Sequence, residues 1–233
     1  MKLFSFSSPS HIIFTIICFS LIVFLPRIFA TKNNQFKKIL VISIISLILI
    51  NQGMDLYREG YMQSWKLGLP LHLCDFSSAS IILYFLTKKK EFFIFAYFAG
   101  ISGAGMALLT PDVLYSFPHV DYLRHMIGHS MILLGVSYAI VIDQQRPQLR
   151  HVHKTLFFVS IILLLMYPIN YLLGPPANYW YVIEKPPGIN VTGFMSEEPF
   201  HMIDIYILAI IICYMIYLPF FLKDRMNKND QLS

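Results

Sequence analysis

Cys74 stands between His72 and Asp75 in the run Leu69-Pro70-Leu71-His72-Leu73-Cys74-Asp75. A thiol, an imidazole and a carboxylate are the parts of an activated nucleophile. The thiolate attacks, the imidazole moves a proton and the carboxylate orients the imidazole. On a regular helix His72 and Asp75 share a face, whereas Cys74 lies about 200° round from His72. Contact between the thiol and that imidazole requires an irregular turn at Pro70, or else the base comes from another helix. Two further pairs offer one. His125-x-x-x-His129 sets two imidazoles one turn apart, which suits a base with its partner or a metal. His201-x-x-Asp204 matches an imidazole held by a carboxylate. Each group also has a plain reading. Cys74 packs, His72 snorkels to an interface, the span-5 histidines hydrogen-bond between helices, and Asp204 complements a helix N-terminus.

These residues belong to a chain made for lipid. Of its 233 residues 56% are hydrophobic and 13% charged, about half the charge of a soluble domain, which is roughly 25%. A spanning helix needs about 20 apolar residues, and seven segments qualify: 9–29, 38–56, 70–87, 91–110, 122–142, 155–173 and 200–222. The expected fold is all-α, a polytopic membrane bundle of about seven transmembrane helices in a single domain over residues 1–233. Lys2 before the first apolar run resembles a signal peptide, but the run is long for one and no A-x-A site follows, so it reads as a retained span. Pro70 suits the first turn of the third helix, Pro199 precedes the seventh, and Gly174-Pro175-Pro176 ends the sixth. Gly100, Gly103 and Gly105 make a small-residue stripe in span 4. It is a packing face, and one on which an acyl chain can approach the backbone.

Charge sets the expected orientation. The loops 27–38, 88–90, 143–154 and 223–233 hold every basic residue except Lys2, Arg58, Lys66, Arg124 and Lys185. By the positive-inside rule the N-terminus is outside and the C-terminus cytoplasmic, in the cell membrane. All histidines but His151 and His153 then fall in the outer half. Ionisable groups at membrane depth are costly and point to function, and here they occupy one layer near the outer headgroups. Asp55 is placed to pair with Arg58, His72 or Arg124. The loop 174–199, with Tyr179, Trp180 and Tyr181, reads as an interfacial lid. Cys18 and Cys213 lie deep in apolar runs, so no disulfide framework is expected. The basic residues are spread over membrane-proximal loops, which excludes a nucleic-acid interface. Membrane lipid is the expected partner, and no feature bears on oligomeric state.

Leu69-Pro70-Leu71-His72-Leu73-Cys74 on a multi-span chain of this length resembles the YwaF-like bacterial integral membrane proteins, which are similar to the animal transmembrane protein 164 family. Asn170-Tyr171-Leu172-Leu173-Gly174, Asn178-Tyr179-Trp180-Tyr181 and Lys185-Pro186 resemble the stretch before that family's last span, and His129 matches a span-5 histidine. The resemblance covers roughly residues 38–222. The segment Glu198-Pro199-Phe200-His201-Met202-Ile203-Asp204 departs from it, carrying His and Asp in place of a more aromatic sequence. The animal relatives are regarded as cysteine-dependent acyltransferases on phospholipid acyl chains. The resemblance therefore implies Cys74 as acyl acceptor, with His72 and His129 as base or orienting groups.

Three functions stand open. The first is intramembrane acyl transfer at the outer leaflet, without a cofactor. Cys74, His72, His129, Asp75 and Asp204 are its catalytic candidates, and His125, His201, Arg124 and Trp180 its substrate contacts. The second is a zinc-dependent lipid hydrolase or amidase, with Zn²⁺ on His125, His129 and His201. The third is a ligand-binding membrane protein or transporter. Against it, the ionisable layer does not continue across the bilayer and no inverted repeat is visible.

Overall fold

The computed structural model describes residues 3–5, 7–186 and 191–230. Lys2 and residues 187–190 of the loop before the last helix lie outside them. Seven helices carry the described chain, and no strand occurs among the described residues beyond an isolated bridge between Leu3 and Tyr115. Helix α1 is Pro9–Ala30, started by the Ser8 hydroxyl accepting from the His11 amide with proline at the first position. Helix α2 is Asn34–Asp55, capped by Asn33 and continued by a wider π-turn over Leu56–Tyr61. Helix α3 is Leu73–Thr87. Helix α4 runs Lys90–Leu109 with a π-turn at Ala96–Gly100. Helix α5 is Val120–Val141, α6 Leu149–Leu173 and α7 His201–Asp230. Gly174, at φ +63°, ends α6 in a left-handed conformation that favours glycine.

Five of these helices are long and apolar enough to cross a membrane: α1, α2 with its π-turn, α4, α6 and α7. The other two depart from the seven-span expectation for different reasons. Helix α3 has 15 residues because Pro70 lies outside it and the chain enters extended through His72. Helix α5 carries Asp121, Arg124, His125 and His129, and packs against α1, α2 and α4. Its neighbours solvate it, which lets it be the polar one. The outer helices carry the lipid-facing surface. Ile13, Ile16 and Phe24 of α1, Phe157 and Leu164 of α6, and Ile203 and Met215 of α7 are all exposed, too much apolar surface for water.

Close approach needs glycine at a few points. Gly128 of α5 faces Asn51 and Gly135 faces Ile81. The tightest contact is backbone on backbone: a Cβ on Gly68 would fall 2.5 Å from the Gly60 Cα in the π-turn. Gly68→Ala cannot be relieved by a rotamer change and should cost about 1–3 kcal/mol, the usual range for overpacking. Gly105, in α4, has nothing within 4 Å of an added Cβ, so Gly105→Ala should be neutral or gain up to about 1 kcal/mol of helix propensity. Thermal unfolding in detergent measures both, and an unaffected Gly68→Ala would show that the segment 62–68 does not seat on the π-turn.

Candidate functional site

A cavity of about 540 Å³ opens where the π-turn end of α2, the start of α3, the C-terminal half of α4 and the first turns of α5 and α7 converge, with α6 behind. Cys74, His72, Asp75, His125, His129, Arg124 and Trp180 all line it. The candidates among them come from three separate stretches of chain, around 72–75, 124–129 and 180, and meet at one place. His201 and Asp204 are not among the lining groups.

Cys74 is the second residue of α3. Because the helix begins at Leu73, His72 sits before it in extended backbone, at φ −71° and ψ 156°. The 200° separation that applies within a helix does not apply across this boundary. The start is fixed by Asp75, whose carboxylate accepts the His72 amide at 2.8 Å. Asp75 is thus spent on capping, a role favoured by the helix dipole, and it positions the run more than it orients an imidazole. The His72 ring rests on Tyr179, centroids 4.8 Å apart, and near Tyr181 at 6.0 Å. Across the cavity Gly103 leaves room for the thiol: a Cβ there would lie 3.4 Å from the Cys74 Sγ.

The two histidines of α5 are in ring contact, centroids 4.3 Å apart and planes tilted by 38°. His129 Nδ1 lies 2.7 Å from the His125 carbonyl oxygen, which can only accept, so Nδ1 carries the proton. In the neutral ring Nε2 then holds the lone pair, as a general base requires. His125 has the opposite tautomer, with Nε2 donating to the Ala107 carbonyl at 3.0 Å. That bond satisfies a carbonyl left free near the end of α4.

His201 is fully buried and its Nε2 donates to the Tyr181 carbonyl at 2.8 Å. The Asp204 carboxylate accepts the Ser196 amide at 2.7 Å. Both hold the loop that leads into α7, so neither the expected substrate contact from His201 nor the expected orienting contact from Asp204 reaches the cavity. The zinc set His125, His129 and His201 is not assembled either. Among the described residues no three His, Cys, Asp or Glu side chains are grouped to hold a metal. The physical reason is that His201 is buried against the Tyr181 carbonyl and does not line the cavity that His125 and His129 share.

Arg124 serves the mouth of the cavity as a charge clamp. It pairs with Asp55 and, at 2.7 Å, with Glu59, while Asn51 donates to Asp55 at 3.2 Å. Its side chain is 14% exposed. Of the pairings open to Asp55, the structure takes Arg124. Asp55 and Glu59 are 22% and 33% exposed, so removing the arginine leaves two partly buried carboxylates without compensation, at a cost between the ~1 kcal/mol of a surface pair and the ~3–5 kcal/mol of a fully buried one. Arg124→Leu should therefore destabilise more than loss of a surface pair. Arg58, joined to Asp121 at 2.6 Å with both groups a third exposed, should cost under about 1 kcal/mol when replaced by alanine. Equal effects in a denaturation series would show that Arg124 is hydrated and not clamped.

The roof was legible only as a lid, and its latches were missed. The Asn170 side-chain amide clamps the Tyr179 backbone, its Oδ1 accepting the Tyr179 amide at 2.6 Å and its Nδ2 donating to the Tyr179 carbonyl at 3.0 Å. The Tyr179 hydroxyl donates to the Lys66 carbonyl at 2.7 Å. Trp180 donates from Nε1 to the Leu71 carbonyl at 2.7 Å, so it braces the lead-in to α3 while its ring lines the cavity. Tyr181 donates to Asp112 at 2.8 Å. Burial raises the Asp112 carboxyl above the ordinary carboxylate range, and the tyrosine bond partly offsets this. Trp180 and Tyr181 sit at φ +61° and +55°, which costs on the order of 1–3 kcal/mol each outside glycine. The side-chain bonds at both ends hold them there. The sequence signals were the clustered Asn, Tyr and Trp of 170–181; nothing marked Asp112 as a latch.

The match to known proteins follows this geometry. The TMEM164 family model matches residues 5–217, a stretch that includes every residue of the cavity wall. An uncharacterized protein of Treponema pallidum (strain Nichols) is 29% identical over 121 residues, 49% of this chain and 47% of that protein, so this chain matches about half the length of that relative. No solved structure matches. With the family model covering nearly the whole chain, the protein belongs to the TMEM164 family.

Proposed function

We propose that this membrane protein is a cysteine- and histidine-dependent acyltransferase acting on lipid acyl chains at the outer leaflet of the cell membrane. One observation carries the reading: Cys74 and His129, whose Nδ1 bond leaves Nε2 as the basic nitrogen, line the same cavity. The chemistry balances without a further reagent. The Cys74 thiol gives its proton to His129 Nε2 and the sulfur attacks the ester carbonyl of a lipid. A C–S bond forms, the ester C–O bond breaks, and the proton passes to the departing alkoxide. In the second half a lipid hydroxyl gives its proton to His129 and takes the acyl group, which restores the thiol. His72, packed on Tyr179, is the second imidazole at the thiol and holds the α3 entry in place.

The test uses the full chain in nanodiscs of phospholipid with an alkyne-tagged acyl chain. An acyl adduct on Cys74, cleaved by hydroxylamine, is the expected result, with none in Cys74→Ser. Adducts of equal extent on Cys18 and Cys213 would reduce the cavity to a lipid-binding site. Orientation is checked separately in intact cells. Cysteines placed at Lys89 and Gln148 should resist an impermeant thiol reagent, and one at Glu184 should react. The reverse pattern would move the chemistry to the inner leaflet.

A further inference from the structure

The cavity continues well below the polar layer, and the place where it stops is defined. On α7 the lining residues Met202, Ile205, Ala209 and Ile212 recur at helical spacing along one face. Ten residues at 1.5 Å each make that face about 15 Å long, half of a roughly 30 Å hydrocarbon core and thus the depth of one leaflet. Helix α4 explains why the void exists and why it ends. Its C-terminal half presents small residues to the void, with Ser102 and Gly103 on the wall, so side chains leave the space beside α7 unfilled there. Its N-terminal half is aromatic. There the buried Tyr97 donates its hydroxyl to the Ile216 carbonyl and packs its ring on Phe220, centroids 6.0 Å apart. Cys213 and Tyr217 are buried at the same level. The floor therefore lies just below Ile212, where α7 docks onto Tyr97.

We propose that this chamber holds a single acyl chain, extended from the Cys74 level to Ile212, and that the closed floor makes it a gauge of chain length, with Ala209 as the residue that leaves room for the distal methylenes. The occupant follows from the page: the walls are apolar, the depth is that of a leaflet, and the upper end meets the thiol. The inference takes its scissile ester from the acyl-transfer reading, but chain binding can be measured without turnover.

The experiment is native mass spectrometry of the full chain carrying Cys74→Ala, titrated with octanoyl, lauroyl and palmitoyl lysophospholipids of one headgroup. A face of that length matches an extended lauroyl chain. A buried methylene corresponds to about fourfold in binding, so in the parent the lauroyl lipid should bind more tightly than the octanoyl one, while palmitoyl gains nothing further. Ala209→Phe blocks the lower chamber and should weaken lauroyl binding by about tenfold or more, with octanoyl changed less than about twofold. Ile212→Ala, a milder change, should raise the palmitoyl-to-lauroyl ratio and decides the matter if the phenylalanine variant fails to fold. An unchanged ratio in Ile212→Ala, or equal loss of octanoyl and lauroyl in a folded Ala209→Phe, overturns the gauge. The two readings fail separately. A shifted ratio without any Cys74 thioester in the wild type would keep the chamber and remove the acyltransferase. A thioester with an indifferent ratio would do the opposite.

Discussion

Cys74→Ala is expected to abolish lipid acyl exchange and acyl labelling while leaving expression and detergent stability near those of the parent. The two halves of this expectation rest on different features. On the proposed mechanism activity is lost because no second cysteine lines the cavity: Cys18 and Cys213 are buried elsewhere, on α1 and α7. Stability is kept because the side chain is small and only partly buried at the cavity wall, so its loss removes little packed volume. It also makes no hydrogen bond that fixes the helix, since the α3 start is held by Asp75 and the His72 amide. Asp75→Ala should behave in the opposite way, loosening the α3 entry before it touches chemistry. The measurement is acyl exchange between phospholipid and lysophospholipid by purified protein, beside thermal unfolding of the same samples. An active Cys74→Ala protein would remove the thiol mechanism, whatever its stability.

The bundle could be read from the sequence because its helices are marked by composition and ended by strong local signals. The first span begins at residue 9 and Gly174 ends α6 as expected, and 155–173 is extended only by the polar turns that begin at Leu149. The reading went astray where tertiary packing overrides composition. Pro70 looked like a first-turn proline, but the capping interaction lies three residues later, between His72 and Asp75. Helix α5 counts by length as one of the seven spans, but its glycines admit α2 and α3 so closely that their side chains bury much of it.

The candidate site was half legible for a similar reason. Cys74, His72, His125 and His129 could be placed at one depth from the span register, and they do line one cavity. Register gives depth, but not the direction a side chain faces or what has already claimed it. His201 and Asp204 share that depth, and an i, i+3 His/Asp pair looks the same on paper whether it faces a substrate or a loop. Here the lid backbone reaches them first, through Tyr181 and Ser196. His11 shows the converse. Nothing marks it beyond its place at the start of an apolar run, yet it is buried, 2.9 Å from the Tyr122 hydroxyl, where it ties α1 to α5.

The tautomer of His129 leads to the second large effect. His129→Ala should lower the acyl-transfer rate by roughly 10²–10⁴-fold, the range for a positioned acid–base group, with lipid binding little changed. His125→Ala is the informative comparison. Its Nε2 already donates to the Ala107 carbonyl, so it cannot take a proton there, and its ring supports His129 by a tilted ring contact. Its loss should cost less rate and more stability, since a buried carbonyl is left without a donor. His129→Gln separates position from proton transfer. The amide can donate to the His125 carbonyl as Nδ1 does, but it has no basic nitrogen to offer the thiol. Single-turnover acylation of Cys74 reads the proton-transfer step directly. If the glutamine variant acylates at the parental rate, His129 is a scaffold. The base must then be His72, whose ring lines the same cavity from the other side of the thiol.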